Sequence, residues 1–239
     1  MPLTRLDKFI TDQGLCSRSN ARDRIRAGTV TVNGLPVSDP ACKIDSDTAQ
    51  VTVDGRLLGA PGHLYVMLHK PAGLLSASRD PRAPTVLDLM PEEWKRRGLF
   101  CVGRLDKDTT GLLLLSDDGD WAHRILSPKS GVQKLYEAVV EGTPTQEDVL
   151  AFSRGLVLKD GLHCLPAALH IVSPGLVRVE VSEGKYHQVR RMLASRLLPV
   201  LELRRLRIGS LNLDSSLAPG EFRQLSPEEV SLPLIPLSK

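Results

Sequence analysis

Apolar side chains at the start of the chain recur every three to four positions, which predicts two short helices. The first helix should end before Gly14, and Ser17 can cap the second. The apolar positions are Leu6, Phe9 and Ile10 in the first helix and Ala21 and Ile25 in the second.

After Gly28 the apolar residues alternate with polar ones, as in β-strands. The runs TVTV and QVTV each precede a dipeptide that favours a hairpin turn, Asn33-Gly34 or Asp54-Gly55. Residues 1 to 60 are therefore predicted to form a small module of helices and hairpins. LLGAPGH, residues 57 to 63, is predicted to be a linker, with a second domain over residues 61 to 239.

Strand patterns dominate the second domain. Its apolar or alternating runs are LYVMLH, LFCV, GLLLLS, KLYEAVVEG, AALHIV and LVRVEVSEG. In the last run, Val177, Val179 and Val181 alternate with polar residues, which is typical of a sheet with one solvated face.

Few helices are predicted between these strands. One is WAHRIL, and another follows a capping box of Thr143 and Gln146. A third begins near Tyr186, with Val189, Met192 and Leu193 turned inward. Neighbouring strands with few intervening helices favour an α+β fold whose second domain has a mixed, largely antiparallel sheet flanked by helices.

Composition narrows the class of protein. The chain has 239 residues, 41% of them hydrophobic, which is enough to bury a substantial core. The start, MPLTRLDKF, lacks the apolar core of a secretion signal, and no apolar run approaches the ~18 residues of a membrane span. We therefore expect a cytoplasmic protein with no membrane partner. The cysteines are scattered, which predicts neither a zinc site nor a disulfide framework.

The net charge of +3 is small, so the distribution of charge is more informative. Arg18, Arg22 and Arg26 follow one another at i+4 steps on the second helix, where Asp23 is the local counter-charge. Such a stripe is either a solvated helix face or a phosphate-binding surface. Residues 185 to 207 hold seven Lys or Arg against the single acid Glu202, which predicts a second basic surface of the kind that faces a nucleic-acid backbone.

The run GRLDKDTTGLLLLSDDG, residues 103 to 119, places a charged turn between two apolar strands. On composition alone, Asp106 and Asp108 are ordinary turn residues. They could also be the paired carboxylates of a glycoside hydrolase, as could Asp117 and Asp118. Only 4% of the chain is aromatic, and this argues against a sugar-binding groove.

Four ordered segments resemble the motifs of pseudouridine synthases: HKPAG, GRLDKDTTGL, KLYEAVV and EGKYHQVRRM. The segments LDKFI, GLCSRSNARDRIRAGTVTVNG and VTVDG resemble the S4-like RNA-binding module. Together with LAPGEFRQL, they make nearly the whole chain similar to the ribosomal small-subunit pseudouridine synthase family. Two positions depart from that pattern, with His69 where Asn is usual and Leu198-Pro199 in place of a Gly-Asn pair.

The resemblance implies an enzyme that isomerises a uridine in ribosomal RNA, with Asp106 as the essential carboxylate and with no cofactor or metal. It favours 16S over 23S rRNA, because relatives acting on large-subunit RNA more often carry Arg or Asn where Tyr186 and His187 stand. The expected partner is small-subunit RNA or an assembly intermediate, bound by a monomer. The alternatives are a 23S rRNA synthase of the same family and a catalytically silent ribosome-assembly factor.

Further roles follow from the reaction. Asp106 acts as a nucleophile or as a base, and the sequence leaves both open. A cation beside it favours its ionised form, and Arg190 is the candidate unless it is a surface charge. Tyr136 is predicted to stack on the flipped uracil unless it packs in the core, and Arg104 is predicted to fill the vacated stack or bind a phosphate. The predicted catalytic residues are Asp106, Arg190 and Tyr136, and the predicted RNA-binding residues are Arg18, Arg22, Arg26, Arg104, Lys185, His187 and Arg191.

Overall fold

The computed structural model describes residues 3–46, 48–58 and 62–235. Contacts divide the chain into two units. The first contains the described residues of Met1–Leu64 together with Leu89–Phe100, and the second contains those of Tyr65–Asp88 and Cys101–Lys239. The domain boundary predicted between residues 60 and 61 lies outside the described residues, as does the middle of the predicted linker.

The first unit combines short helices with short antiparallel strands. Its helices are α1 (Leu6–Asp12), α2 (Arg18–Arg26) and α3 (Glu92–Arg96). Its strands are β1 (Leu3–Arg5), β2 (Val30–Val32), β3 (Leu35–Pro36), β4 (Lys43–Asp45), β5 (Val51–Val53) and β6 (Arg56–Leu58). One sheet has the order β3-β2-β5-β6, and β1 pairs with β4. Leu57 and Leu58, predicted as linker, belong to β6.

The predicted starts and turns of this unit are confirmed. The Ser17 side chain accepts a hydrogen bond from the Asn20 backbone N–H and caps α2. Asn33 and Gly34 have φ values of 51° and 80° at the turn between β2 and β3. A turn with positive φ at both central residues matches the twist of the flanking strands, so the dipeptide determines the hairpin.

A buried carboxylate lies beneath the arginines of α2. The Asp7 side chain has no solvent exposure and accepts hydrogen bonds from Arg5, Arg18 and Arg22 at 3.0–3.3 Å. The hydrogen bond from Arg5 has the largest effect, and together the three arginines hold the pKa of Asp7 well below its usual range. Burial of the carboxylate acts in the opposite direction and raises this pKa. The sequence indicated Asp23 as the local counter-charge of this stripe, and the structure adds Asp7, which α1 supplies from earlier in the chain.

The inclusion of residues 89–100 in the first unit was not predicted. Its contacts explain it: the Arg96 guanidinium donates to the Gly14 carbonyl at 3.1 Å. A Cβ atom on Gly14, which has φ +72°, would lie 2.9 Å from the Glu93 carbonyl oxygen. The glycine that ends α1 is thus required for close packing as well as for its backbone conformation.

The second unit is built on one large sheet. Its strands are β7 (Tyr65–Lys70), β8 (Phe100–Val102), β9 (Thr110–Ser116), β10 (Lys134–Val140), β11 (Leu156–Val157), β12 (His163–Cys164), β13 (Ala168–Ser173), β14 (Leu176–Val181), β15 (Val200–Ile208), β16 (Leu211–Asn212) and β17 (Phe222–Gln224). The large sheet has the order β13-β14-β10-β15-β9-β7-β17, with β16 paired to β15 and β8 to β9, and β11 and β12 form a separate pair. Pairing is parallel between β15 and β9 and antiparallel along the rest of this order. The predicted α+β fold with a mixed, largely antiparallel sheet is confirmed.

Helices α4 (Gly119–Leu126), α5 (Gln146–Arg154) and α6 (Gln188–Ser195) flank this sheet, with 3-10 turns at Val86–Leu89, Pro128–Ser130 and Leu232–Leu234. Val189, Met192 and Leu193 of α6 are buried, as predicted, against the core formed with β10 and β14. No helix in the described part of the chain is long and apolar enough to cross a membrane.

The capping box of α5 differs from the predicted one. Thr145 and Asp148 form it, in place of Thr143 and Gln146. The Asp148 carboxylate accepts from the Thr145 backbone N–H at 2.9 Å and from its hydroxyl at 2.8 Å. Arg196 also donates to Asp148, at 2.8 Å. A charged acceptor with this additional partner forms a stronger cap than a neutral glutamine amide.

Candidate active site

A cleft of about 730 Å³ opens in the second unit beside the turn between β8 and β9. The predicted site residues that line it are Arg104, Asp106, Tyr136, Lys185 and His187. A smaller pocket of about 80 Å³ shares Asp106 and Tyr136 with this cleft, and Arg190 also lines it. The structure thus brings the three predicted catalytic residues into one region, although they come from separate parts of the chain.

The turn that carries Asp106 is held by the segment after β7. The Ser76 hydroxyl donates to the Leu105 carbonyl at 2.8 Å and accepts from the Leu105 N–H at 3.1 Å. The Gly73 N–H donates to the Lys107 carbonyl at 2.9 Å. Within the turn, the Thr109 N–H donates to the Asp106 carbonyl at 3.0 Å. The backbone on both sides of Asp106 is therefore anchored.

Lys70 lies beneath this turn with no solvent exposure. Its ammonium donates to the carbonyl oxygens of Pro71, Lys107 and Thr109, each at 3.0 Å. An ammonium has three donors, so these acceptors match it fully. Burial lowers the pKa of Lys70 to about 8, against the opposing effect of Asp108 and Asp106. The lysine of HKPAG is therefore tied to the aspartate of GRLD through the backbone of the turn.

The turn ends at a close contact between strands. Gly111 has φ +102°, and a Cβ atom there would lie 2.2 Å from the Arg205 carbonyl oxygen. Any side chain would separate β9 from β15 at the point where their parallel pairing begins. The glycine of the TGL run thus places Arg205 next to the turn.

His187 is the group that contacts the Asp106 carboxylate. Its Nε2 lies 3.4 Å from Oδ1 of Asp106, and the two side chains are 39% and 34% exposed. His187 has φ +47°, a left-handed conformation at the start of α6, and the Tyr186 ring stacks on its imidazole with centroids 3.8 Å apart. This contact is an ion pair when His187 carries a proton.

The Arg190 side chain is placed differently from the prediction. Its Nη1 donates to the Val200 carbonyl at 3.3 Å, and among the described residues the ion pair to Asp106 comes from His187. The predicted Arg190–Asp106 pair is therefore absent from this structure. The reason is that the first residue of β15 offers an acceptor close to α6. Arg190 still lines the small pocket that Asp106 lines.

Tyr136 is half-buried, and it both packs against the core and lines the cleft. The two alternatives given for it, a place in the site and packing in the core, therefore both describe its position. It lies opposite Arg205 across the β10–β15 pairing. The Arg205 Nη1 donates to the Tyr136 hydroxyl at 3.4 Å, and the guanidinium carbon lies 5.9 Å from the ring centroid. The ring is therefore supported from one side by a cation.

Acidic residues from elsewhere neutralise much of the basic segment of residues 185 to 207. Arg191 pairs with Asp160 at 2.6 Å, and Lys185 pairs with Glu183 at 2.9 Å. Arg196 and Arg207 also have carboxylate partners, Asp148 and Glu180. The predicted second basic surface is therefore smaller than the sequence indicates. Arg18, Arg22 and Arg26 belong to the first unit.

Sequence reasoning missed Lys134 and Arg205, which line the cleft. A signal was available for Lys134, because it lies two residues before Tyr136 on β10 and side chains at i and i+2 share a strand face. Arg205 carried no such signal, since LELRRLRI has arginines on both faces.

Known proteins resemble this chain over nearly its whole length. A model of the RNA pseudouridylate synthase family matches residues 64–195, and an S4 domain model matches residues 4–48. Ribosomal small subunit pseudouridine synthase A of Escherichia coli strain K12 is 43% identical over 231 residues, covering 95% of this chain and 98% of that protein. An uncharacterised RNA pseudouridine synthase of Bacillus subtilis is 40% identical over 232 residues, covering 95% and 97%. A crystal structure of a pseudouridylate synthase aligns with a TM-score of 0.68 at 36% identity, over 97% of this chain and 99% of that one.

The contacts of Lys70 predict the effect of its removal. Lys70→Met leaves three carbonyls of the turn without a donor, so hydrogen-exchange protection of residues 105 to 110 should fall while that of β10 and β14 persists. The global free energy of unfolding should fall by less than the sum of the three lost bonds, each worth roughly 1–3 kcal/mol, because a buried charge is removed with them. Lys95→Met, which removes a surface pair with Glu92, is the control and should leave the turn protected.

The same ammonium gives a pH dependence. Because burial lowers the pKa of Lys70 to about 8, the form with three donors is present below that pH and is lost above it. Protection factors of the turn should fall as the pH rises through about 8 in the wild-type protein, and should be flat in Lys70→Met. Unchanged protection in Lys70→Met would show that the turn does not depend on this lysine.

Proposed function

This chain belongs to the RNA pseudouridylate synthase family, and from that membership we propose that it converts a specific uridine of 16S ribosomal RNA to pseudouridine with Asp106 as the catalytic carboxylate. The main structural support for this proposal is the position of Asp106, which lies on an anchored turn and lines the same cleft as Tyr136. The choice of small-subunit RNA is supported by the E. coli relative, which is named for that substrate.

The reaction breaks the bond between ribose C1′ and uracil N1 and forms a bond between C1′ and C5. The hydrogen on C5 leaves as a proton and N1 gains one, so the isomerisation involves neither net redox change nor hydrolysis. A carboxylate starts it either by attacking C1′ or by removing a proton from the sugar. Asp106 is partly exposed within the cleft, which suits a group that must touch the substrate.

A uridine inside folded RNA must be extruded before C1′ can be reached, at a cost of a few kcal/mol. Stacking of a base on an aromatic ring contributes roughly 1–3 kcal/mol, which offsets much of that cost. We assign this role to Tyr136, whose ring the Arg205 contact already orients. Arg104 is exposed beside Asp106 and is assigned to the vacated stack or to a flanking phosphate.

His187 and Arg190 are both assigned to orient the Asp106 carboxylate in this proposal. His187 contacts the carboxylate in the free protein. Arg190 lines the same small pocket, and catalytic contacts often tighten only when substrate binds. A shift of the Arg190 guanidinium from the Val200 carbonyl to Asp106 on RNA binding is part of the proposed mechanism.

The first unit is proposed to bind RNA through α2, with residues 1 to 60 acting as the S4-like domain and residues 61 to 239 as the catalytic domain. The S4 domain match supports this assignment. Arg26 is exposed, and no ion pair holds it among the described residues, whereas Arg18 and Arg22 also serve the buried Asp7. Arg26 is therefore the position at which RNA binding can be tested without disturbing the unit.

Arg26→Glu should weaken binding to 16S rRNA fragments and reduce the salt dependence of binding, by about 0.7–0.9 in the log-log slope per lost phosphate contact. Its thermal stability should stay unchanged. Arg22→Glu should weaken binding as well but should also lower stability, because it places a carboxylate beside Asp7. Binding titrations at several salt concentrations measure this. An unaltered slope in both variants would remove α2 from the RNA interface.

Asp106→Asn should abolish pseudouridine formation and leave RNA affinity within about threefold, because the change keeps the shape and removes only the carboxylate. Release of tritium from C5-labelled uridine in single-turnover assays measures the reaction, since that hydrogen is lost when C5 joins the ribose. Asp108→Asn, on the same turn, is the matched control and should remain active. Substantial tritium release by Asp106→Asn would contradict the assignment.

A further inference from the structure

Two cations line the cleft without an acidic partner among the described residues, one of them buried and the other partly buried. Arg205 and Lys134 both line it, and no carboxylate pairs with either side chain among the described residues. Lys134 donates to the Val132 carbonyl at 2.8 Å, and Arg205 donates to the Leu112 carbonyl at 2.8 Å. These partners are neutral, so the positive charges of both side chains remain uncompensated.

On β15, the arginine that lines the cleft differs from a neighbouring buried arginine in having no ion-pair partner among the described residues. Arg205 and Arg207 lie two residues apart and are both buried, at 3% and 9% exposure. Arg207 forms a 2.6 Å ion pair with Glu180. Arg205 has a buried Nη2 with no hydrogen-bond partner in the part of the chain that the structure describes. A buried charge is normally paired, because desolvation without a counter-ion is unfavourable. The position that faces the cleft is the one without a counter-ion.

Lys134 has the same character. Burial lowers the pKa of Lys134 to about 8, and the nearby Arg205 charge acts in the same direction. The two cations are therefore close enough to repel each other, and the fold keeps them together. An anion placed between or beside them would relieve that repulsion and would supply the partner that Arg205 lacks.

We propose that Arg205 and Lys134 form a phosphate-binding subsite that holds a phosphodiester of the extruded nucleotide while Tyr136 stacks on its base. This inference rests on the proposed function for the identity of the nucleotide. Tyr136 is adjacent to both residues, since it lies two positions after Lys134 on the same face of β10 and its hydroxyl oxygen accepts a hydrogen bond from Arg205. Base and phosphate would thus be held by adjacent groups.

A phosphate fits this site better than a uracil carbonyl does. A guanidinium and an ammonium together match a negatively charged tetrahedral group, whereas a neutral carbonyl would leave both charges uncompensated. The low-dielectric position strengthens the attraction to an anion and makes it less sensitive to salt than a surface contact. The subsite would therefore also select for a nucleotide over a free nucleoside.

Equilibrium binding of small probes tests the subsite without turnover. Uridine, uridine 3′-monophosphate and uridine 5′-monophosphate are titrated into the full-length protein at constant ionic strength. In the wild-type protein, one monophosphate should bind at least tenfold more tightly than uridine. Arg205→Met and Lys134→Met should each remove most of that advantage. Lys134→Met should change uridine affinity less than threefold, whereas Arg205→Met should also weaken uridine, by a smaller factor than the monophosphate, because it removes the support of the Tyr136 ring. Arg205→Lys should keep part of it, because a charge remains.

Two controls separate binding from folding. Arg178→Met removes an arginine of β14 that pairs with Glu137 at the surface, and it should keep the full phosphate preference. In urea denaturation, Arg205→Met should be at least as stable as the wild-type protein, because an unpaired charge is removed. Arg207→Met should be less stable, because it leaves Glu180 without its partner.

The inference fails if the wild-type protein binds uridine as tightly as both monophosphates. It also fails if Arg205→Met weakens uridine and monophosphates equally, since that result places Arg205 on the base. Pseudouridine formation by the wild-type protein is measured separately. Turnover without a phosphate preference would overturn the subsite and leave the proposed function standing. A phosphate preference without turnover on RNA would overturn the proposed function and leave the phosphate-binding site standing.

Discussion

The buried ammonium of Lys70 is the interaction on which the rest of the site depends. It donates to the carbonyls of Pro71, Lys107 and Thr109, and these belong to the two segments that approach each other under Asp106. A backbone turn with polar groups directed inward would otherwise leave buried carbonyls without donors. One lysine therefore allows a charged turn to lie on an apolar sheet, and it links the HKPAG and GRLD segments.

Pairing between neighbouring strands positions the other residues of the cleft relative to this turn. Gly111 lets β9 approach β15, which places Arg205 beside the turn and Tyr136 opposite Arg205. The loop before α6 then brings His187 to the carboxylate. Hydrogen bonds to the turn therefore fix the proposed catalytic carboxylate, and strand register fixes the proposed stacking ring and phosphate ligands. This is the preorganisation that catalysis needs.

Local patterns in the sequence predicted much of this fold because their causes are local. The hairpin at Asn33-Gly34, the cap at Ser17 and the buried stripe of α6 each follow from residues within one turn or one helix. Partners distant in sequence were not predictable in this way. Asp7 beneath α2, Val200 beside Arg190 and the missing acid at Arg205 depend on how separate elements pack. The resemblance to a known family supplied Asp106, which composition alone would have left as a turn residue.

The measurement that tests the central claim most directly is a map of pseudouridines in ribosomal RNA from cells with and without this protein. The account predicts that one position in 16S rRNA changes from pseudouridine to uridine when the protein is absent, and that it is restored by the wild-type gene. Identical maps, or a change confined to 23S rRNA, would contradict it.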